Sequence, residues 1–180
     1  VDYGPVVTGA AKEKILGLVQ SGIDQGADLV VDGRDFQLQG YEDGFFVGPH
    51  LFDKVTPDMD IYKQEIFGPV LSTVRAASYE EAVSLAMDHE MGNGTAIFTR
   101  DGDAARDFAS RINIGMIGVN VPIPVPLAYH TFGGWKKSMF GDLNQHGPDA
   151  FKFYTRTKTV TSRWPSGIKE GGEFNFKAMD

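Results

Sequence analysis

Between residues 70 and 119 the chain repeats one rhythm: a short apolar run, an amphipathic stretch, then another short run. Residues 70–76, 95–99 (TAIFT) and 114–119 read as strands. One intervening helix starts at Ser78 or Tyr79, with Glu80 and Glu81 near its positive end and Ala82, Leu85 and Ala86 as its apolar stripe. The other spans 101–111. A helical crossover brings the chain back to the same end of a sheet, so strands joined this way run parallel. The expected class is α/β, a largely parallel sheet with flanking helices.

The residues before this rhythm are compatible with it. Thr8 can cap a helix with its body at 12–25, where Ile15, Leu16, Leu18, Val19 and Ile23 recur at helical spacing. Residues 27–31 form a short strand pattern closed by the turn Asp32-Gly33. Residues 41–52 look extended, rich in aromatics and broken by Gly44, Gly48 and Pro49. The 180 residues suffice for one domain with its own core. There is no internal repeat, and the Gly- and charge-rich stretch 166–180 is expected to be partly disordered.

Charge narrows the choice of partners. The net charge of −7 argues against nucleic acid or an anionic membrane, both of which attract basic surfaces. No apolar run is long enough for a bilayer span, and the first residues lack the order of a signal peptide. The chain contains no cysteine, which excludes disulfides, thiolate metal sites and a cysteine nucleophile within these residues. It starts at Val1 rather than at a methionine, as a processed or partial chain would.

Complete catalytic motifs are absent: no G-x-G-x-x-G after a strand, no P-loop lysine, no G-x-S-x-G, no H-E-x-x-H. His50, His89, His130 and His146 have no ligand spacing and read as surface or loop residues; no metal is expected. The acidic residues Asp53, Asp58 and Asp60 read as a solvated loop face. Three segments remain. QEIFGPV (64–70) sets the carboxylate of Glu65 two residues before Phe67 and then breaks the chain. GVNVPIPVP (118–126) has prolines at 122, 124 and 126, which make it stiff and extended but remove three ladder donors, so it cannot be a central strand. FGGWKKS (132–138) is a glycine turn carrying large aromatics. Each has a plain structural reading too: Glu65 as a turn cap, Phe67 as core, the prolines as a rigid crossing, Phe132 and Trp135 packed beneath the turn.

Taken in order, E-I-F-G-P-V, T-A-I-F-T, G-x-I-x-V-N, F-G-G-x-K and the terminal T-K-T-V-T resemble the downstream half of the aldehyde dehydrogenase superfamily, from about Tyr3 to Trp164. V-N-V-P-I-P-V-P and A-Y-H-T-F-G-G-W-K resemble its CoA-acylating branch, which acts on methylmalonate and malonate semialdehydes. Met139 and Gly141-Asp142 stand where the wider family has a glycine and an Arg-Glu pair, a departure that fits that branch.

The resemblance implies roles. Glu65 would accept hydrogen bonds from the hydroxyls of the nicotinamide ribose of NAD, since two carboxylate oxygens suit a vicinal diol, and Phe67 would confine the nicotinamide end. Ile123, Val125 and Phe132 would belong to the mouth and wall of the tunnel for the small-molecule semialdehyde. Coenzyme A would be co-substrate and acyl acceptor, after decarboxylation, giving propionyl-CoA or acetyl-CoA. The nucleophilic cysteine, the oxyanion asparagine and the main dinucleotide domain would lie upstream, so no catalytic residue is assigned here. Residues 1–150 would be part of the catalytic domain, 151–164 (FKFYTRTKTVTSRW) a β-rich oligomerisation strand joining a homodimer or homotetramer, and 165–180 a tail. A cytoplasmic, bacterial-type chain is implied. Two other readings stay open: a non-acylating aldehyde dehydrogenase part, and a non-catalytic interaction domain. The cysteine-free chain by itself is expected to be inactive. With NAD, CoA and malonate semialdehyde, NADH absorbance should stay flat, and a rise would overturn the assignment.

Overall fold

Thr8 opens the first helix as its spacing suggests. Its hydroxyl accepts from the Ala11 amide at 3.1 Å, and α1 runs Gly9–Asp24. The structure is a computed structural model that describes residues 3–164. The expectation of disorder in the tail falls outside those residues. The buried face of α1, with Ile15, Leu18 and Val19, lies over β1 (Asp28–Val31), β2 (His50–Asp53) and the short α2 (Asp60–Lys63). Leu18, Val19, Phe52, Val55, Met59 and Ile61 form one core, to which Ile66 and Val70 add from the edge. Burying a side chain such as Phe52 or Val19 contributes about 1.5–3 kcal/mol.

The second half keeps its elements but not the expected single sheet. β3 is Val70–Ser72, α3 Tyr79–Asp88, β4 Met91–Gly92, β5 Gly94–Ile97, α4 Gly102–Arg111, β6 Met116–Val119 and β7 Trp135–Lys136. Among the described residues the strands form three small sheets. β1 pairs antiparallel with β2, and β2 parallel with β3. β5 pairs parallel with β6 across α4, while β4 pairs antiparallel with β7. β3 and β5, which the alternating pattern makes neighbours, lie in different sheets. After α3 the chain enters β4, whose hydrogen bonds go to a segment more than forty residues downstream, so α3 is no simple crossover. The second core gathers Val83, Phe108, Ile112 and Ile114. Val83 is the buried residue of α3, and Leu85 and Ala86 are half-buried as expected, whereas Ala82 is exposed, so the apolar stripe departs from the expected one only at its first position.

Side chains tie these elements together. Ser78 caps α3 by accepting from the Glu81 amide at 3.2 Å, and Asp101 caps α4. Arg111 at the end of α4 reaches back to Glu80 at 2.6 Å and to Asp107 at 3.0 Å. Its guanidinium holds the Glu80 carboxyl below the usual range, while Tyr79 and then Arg111 do the same for Asp107. At the other end of α3 the Lys136 ammonium donates to the carbonyls of Ala86, Met87 and His89 at 3.3, 2.7 and 3.0 Å. These are groups that a helix end leaves without intrahelical donors. Asn120, at a left-handed φ of 57°, accepts from the Thr99 amide at 2.9 Å and donates to the Thr99 carbonyl at 3.1 Å.

Two histidines depart from a surface role. His50 is buried in β2, with Nε2 at 3.8 Å from Asp32. A hydrogen bond from the Arg34 side chain lowers the Asp32 pKa to about 2. His89 accepts from the Met91 amide through Nδ1, so Nε2 carries the proton and donates to the Tyr62 carbonyl, each at 3.0 Å. The C-terminal strand also needs correction at its start. A 3-10 turn at Gly147–Asp149 leads into α5, Ala150–Tyr154, so Phe151 and Phe153 are helical. Residues 155–164 are exposed and have no ladder within the described chain. Alternation in 151–154 fits a strand, but a helix satisfies its own backbone groups and needs no neighbour.

Lys136→Met keeps the apolar stem and removes the donors to three carbonyls. Urea denaturation of the protein should show a loss of about 1–3 kcal/mol, the usual range for charge-assisted bonds and their orphaned partners. Unchanged stability would mean that water replaces the ammonium without cost.

Candidate functional site

The turn after α2 is built to hold one side chain in and two out. Gln64 closes α2 with its amide on the Asp60 carbonyl at 2.9 Å. Ile66 then points back into the first core, leaving Glu65 and Phe67 exposed on either side of it. The Lys14 ammonium of α1 holds the Glu65 carbonyl at 3.2 Å. Gly68 lies directly on α1: a Cβ there would stand 2.5 Å from Ile15 Cδ1 and 2.9 Å from its Cγ1, so a side chain would force buried Ile15 to shift. The Pro69 carbonyl accepts from the His50 amide at 2.9 Å and leads into β3. The turn is thus fixed at both ends and pressed against the helix in the middle.

Phe67 is the unusual member. Its φ is +58°, a region that costs a residue with a Cβ roughly 1–2 kcal/mol, and its ring is 79% exposed. A strained backbone that carries a large apolar side chain into solvent stabilises nothing within the described chain. Strain of this kind clusters at ligand sites. The Glu65 carboxylate takes no hydrogen bond or ion pair among the described residues. Together the two present a pair of acceptor oxygens and an aromatic face from one rigid turn. A diol and a flat ring on one ligand would match both.

Val125 and Phe132 come together elsewhere. They line a cavity of about 390 Å³ with Met116, Ser138, Met139 and His146 among its other walls. Ile123 does not line it; its side chain is 73% exposed on the proline segment. Gly134, in the turn that follows Phe132, is buried, and Ser138 accepts from the Gly92 amide at 3.0 Å. That bond and the β4–β7 pairing position the Phe132 loop. Trp135 is half-exposed rather than packed beneath it.

The acidic residues 53, 58 and 60 are engaged separately. Asp53 pairs with Arg75 at 2.6 Å, Asp58 accepts from the Thr56 hydroxyl, and Asp60 accepts from Ser21 and Gln25. Two features carry no local sequence signal: the tilted contact of His146 with Phe132, and the anchoring of the loop through Lys136. Both link residues whose proximity depends on how the chain folds back, and no local pattern marks them.

The profile of the aldehyde dehydrogenase family matches residues 1–160. Over 180 residues the chain is 59% identical to malonate-semialdehyde dehydrogenase of Pseudomonas aeruginosa, covering 99% of this chain and 36% of that protein. It is 53% identical over 163 residues to the mitochondrial acylating methylmalonate-semialdehyde dehydrogenase of Arabidopsis thaliana, covering 91% of this chain and 27% of that one. Among solved structures, it resembles a protein of Sinorhizobium meliloti 1021 assigned as a methylmalonate-semialdehyde dehydrogenase and complexed with NAD. That match has a TM-score of 0.87 and 76% identity over 94% of this chain and 35% of the other. The chain therefore spans about a third of the length of these relatives.

Replacing Phe67 by asparagine, which tolerates left-handed φ, should raise the unfolding free energy by about 0.5–1 kcal/mol. Chemical denaturation measures it. A loss of more than that amount would show that the ring packs against something that stabilises the fold.

Proposed function

Because this chain belongs to the aldehyde dehydrogenase family, we propose that it is the downstream part of an NAD-dependent, CoA-acylating (methyl)malonate-semialdehyde dehydrogenase. The parent reaction oxidises the semialdehyde as NAD is reduced, releases carbon dioxide and transfers the acyl group to coenzyme A. In this reading the thiol nucleophile lies outside these 180 residues, none of which is a cysteine. The cytoplasm is the proposed location. Among the described residues no helix is long and apolar enough to cross a membrane.

The observation that carries the reading is the turn with Glu65 and Phe67. A ribose diol offers two donors, and the Glu65 carboxylate offers acceptor oxygens that no group of the described chain occupies. The oxidised nicotinamide ring is flat and carries a positive charge, and the exposed Phe67 ring offers an aromatic face to it. NAD, when bound, supplies the hydride acceptor. The chain's part is to orient and confine that end, and the bond from Lys14 and the contact of Gly68 with Ile15 give the turn its rigidity. Charge-assisted bonds of this kind contribute roughly 1.5–3 kcal/mol each.

Phe132 and Val125 form the proposed wall for the semialdehyde, with Ile123 at the mouth. Residues 155–164 are the proposed assembly segment. Thr155, Thr157, Thr159 and Val160 favour extended backbone, and a partner subunit in a homodimer or homotetramer would supply the ladder that the segment lacks here.

Glu65→Gln in the full-length enzyme should leave folding intact and slow the hydride step. Reaction needs the atoms held at about 3–3.5 Å in near-attack geometry, and a loosened ribose no longer holds them there. Single-turnover NADH formation is the measurement. An unchanged rate together with unchanged NAD affinity would overturn the role of Glu65.

A further inference from the structure

The imidazole of His146 lies against the ring of Phe132, with centroids 4.4 Å apart and planes tilted by 31°. Both side chains line the cavity of about 390 Å³. His146 does not belong to the loop that carries Phe132. It precedes the turn Gly147–Asp149, and the Gly147 amide donates to the Ala128 carbonyl at 3.3 Å. Gly147 itself takes a φ of +74° and has the Thr131 backbone within 2.8 Å of where a Cβ would stand. The histidine is therefore anchored by a turn of its own. Beside it the side-chain oxygen of Asn144 is buried, and it sits 1.4 Å from where a Cβ on Gly133 would stand. Residues 144–147 thus pack against Phe132 and Gly133 along the cavity wall.

We propose that His146 is a positioning residue that sets the width of the substrate pocket by stopping Phe132 from withdrawing. The proposal rests on the reading of Phe132 as a pocket wall. Phe132 is half-buried, with one neighbour in His146 and the cavity also at its surface. Removing the imidazole opens space beside the ring. The ring can then retreat, and the pocket gains room of about the size of one methyl group. Malonate and methylmalonate semialdehydes differ by that group, and an apolar pocket discriminates such a difference by roughly 10–200-fold.

The test uses steady-state kinetics of the full-length enzyme with both semialdehydes. His146→Ala should shift the ratio of kcat/KM toward methylmalonate semialdehyde by about 5- to 10-fold, a modest share of that range. The change should lie mainly in KM. His146→Phe retains a ring at the contact and should keep the original ratio within about twofold. In a Phe132→Ala background, His146→Ala should add no further shift. The proposal fails if Phe132→Ala shifts the ratio but His146→Ala does not. It also fails if His146→Ala and His146→Phe act alike, or if the two alanine effects simply add. No shift from Phe132→Ala would instead remove Phe132 from the wall, and the inference with it.

Discussion

The carbonyls at the end of α3 need donors, and one ammonium supplies three of them. Lys136 comes from a segment nearly fifty residues away, so the bond does more than finish a helix. It fixes β7 against β4, and with β7 the glycine turn and Phe132. The other end of α3 is held to α4 through Arg111, Glu80 and Asp107. α4 in turn joins β5 to β6. The cavity beside Phe132 therefore inherits its shape from the second core through a chain of polar contacts whose geometry is directional. Apolar packing alone would specify it less sharply.

The Glu65 turn depends on a different means. Its carboxylate and aromatic face outward because Ile66 faces inward, and the turn stays close to α1 because Gly68 leaves space for Ile15. Here the precision comes from steric fit, with a single lysine bond added at the backbone. The strain at Phe67 is sustained by these contacts. The cost of a left-handed φ, roughly 1–2 kcal/mol, is small beside the burial of Ile15, Ile66 and their neighbours.

Much of this could be read from the residues. Thr8 precedes α1 as a cap, the starts of α3 and α4 fall within a residue of those expected, and E-x-F-G-P marks the turn that holds Glu65. The three prolines after β6 correctly rule out a longer strand. What stayed hidden was long-range. Val83 rather than Ala82 is buried because helix rotation is decided by Phe108 and Ile112, which the helix itself does not announce. His50 is enclosed because β2 is the middle strand of its sheet. Phe151 and Phe153 alternate with polar residues and suggest a strand where α5 stands, because so short a segment fits either period.

Asn120 carries a consequence of its own. A carboxamide offers a donor side and an acceptor side, as a peptide group does, and it meets both halves of Thr99. The pairing of β5 with β6 is therefore continued by a side chain after the backbone has turned away. One rung of the sheet is stored in a group that chemistry can alter without cutting the chain. Conversion of that amide to a carboxylate, as in slow deamidation, would keep the acceptor and place a negative oxygen against the Thr99 carbonyl. The end of the sheet nearest the proline segment would then come apart first, so the age of the molecule would register at the approach to its pocket.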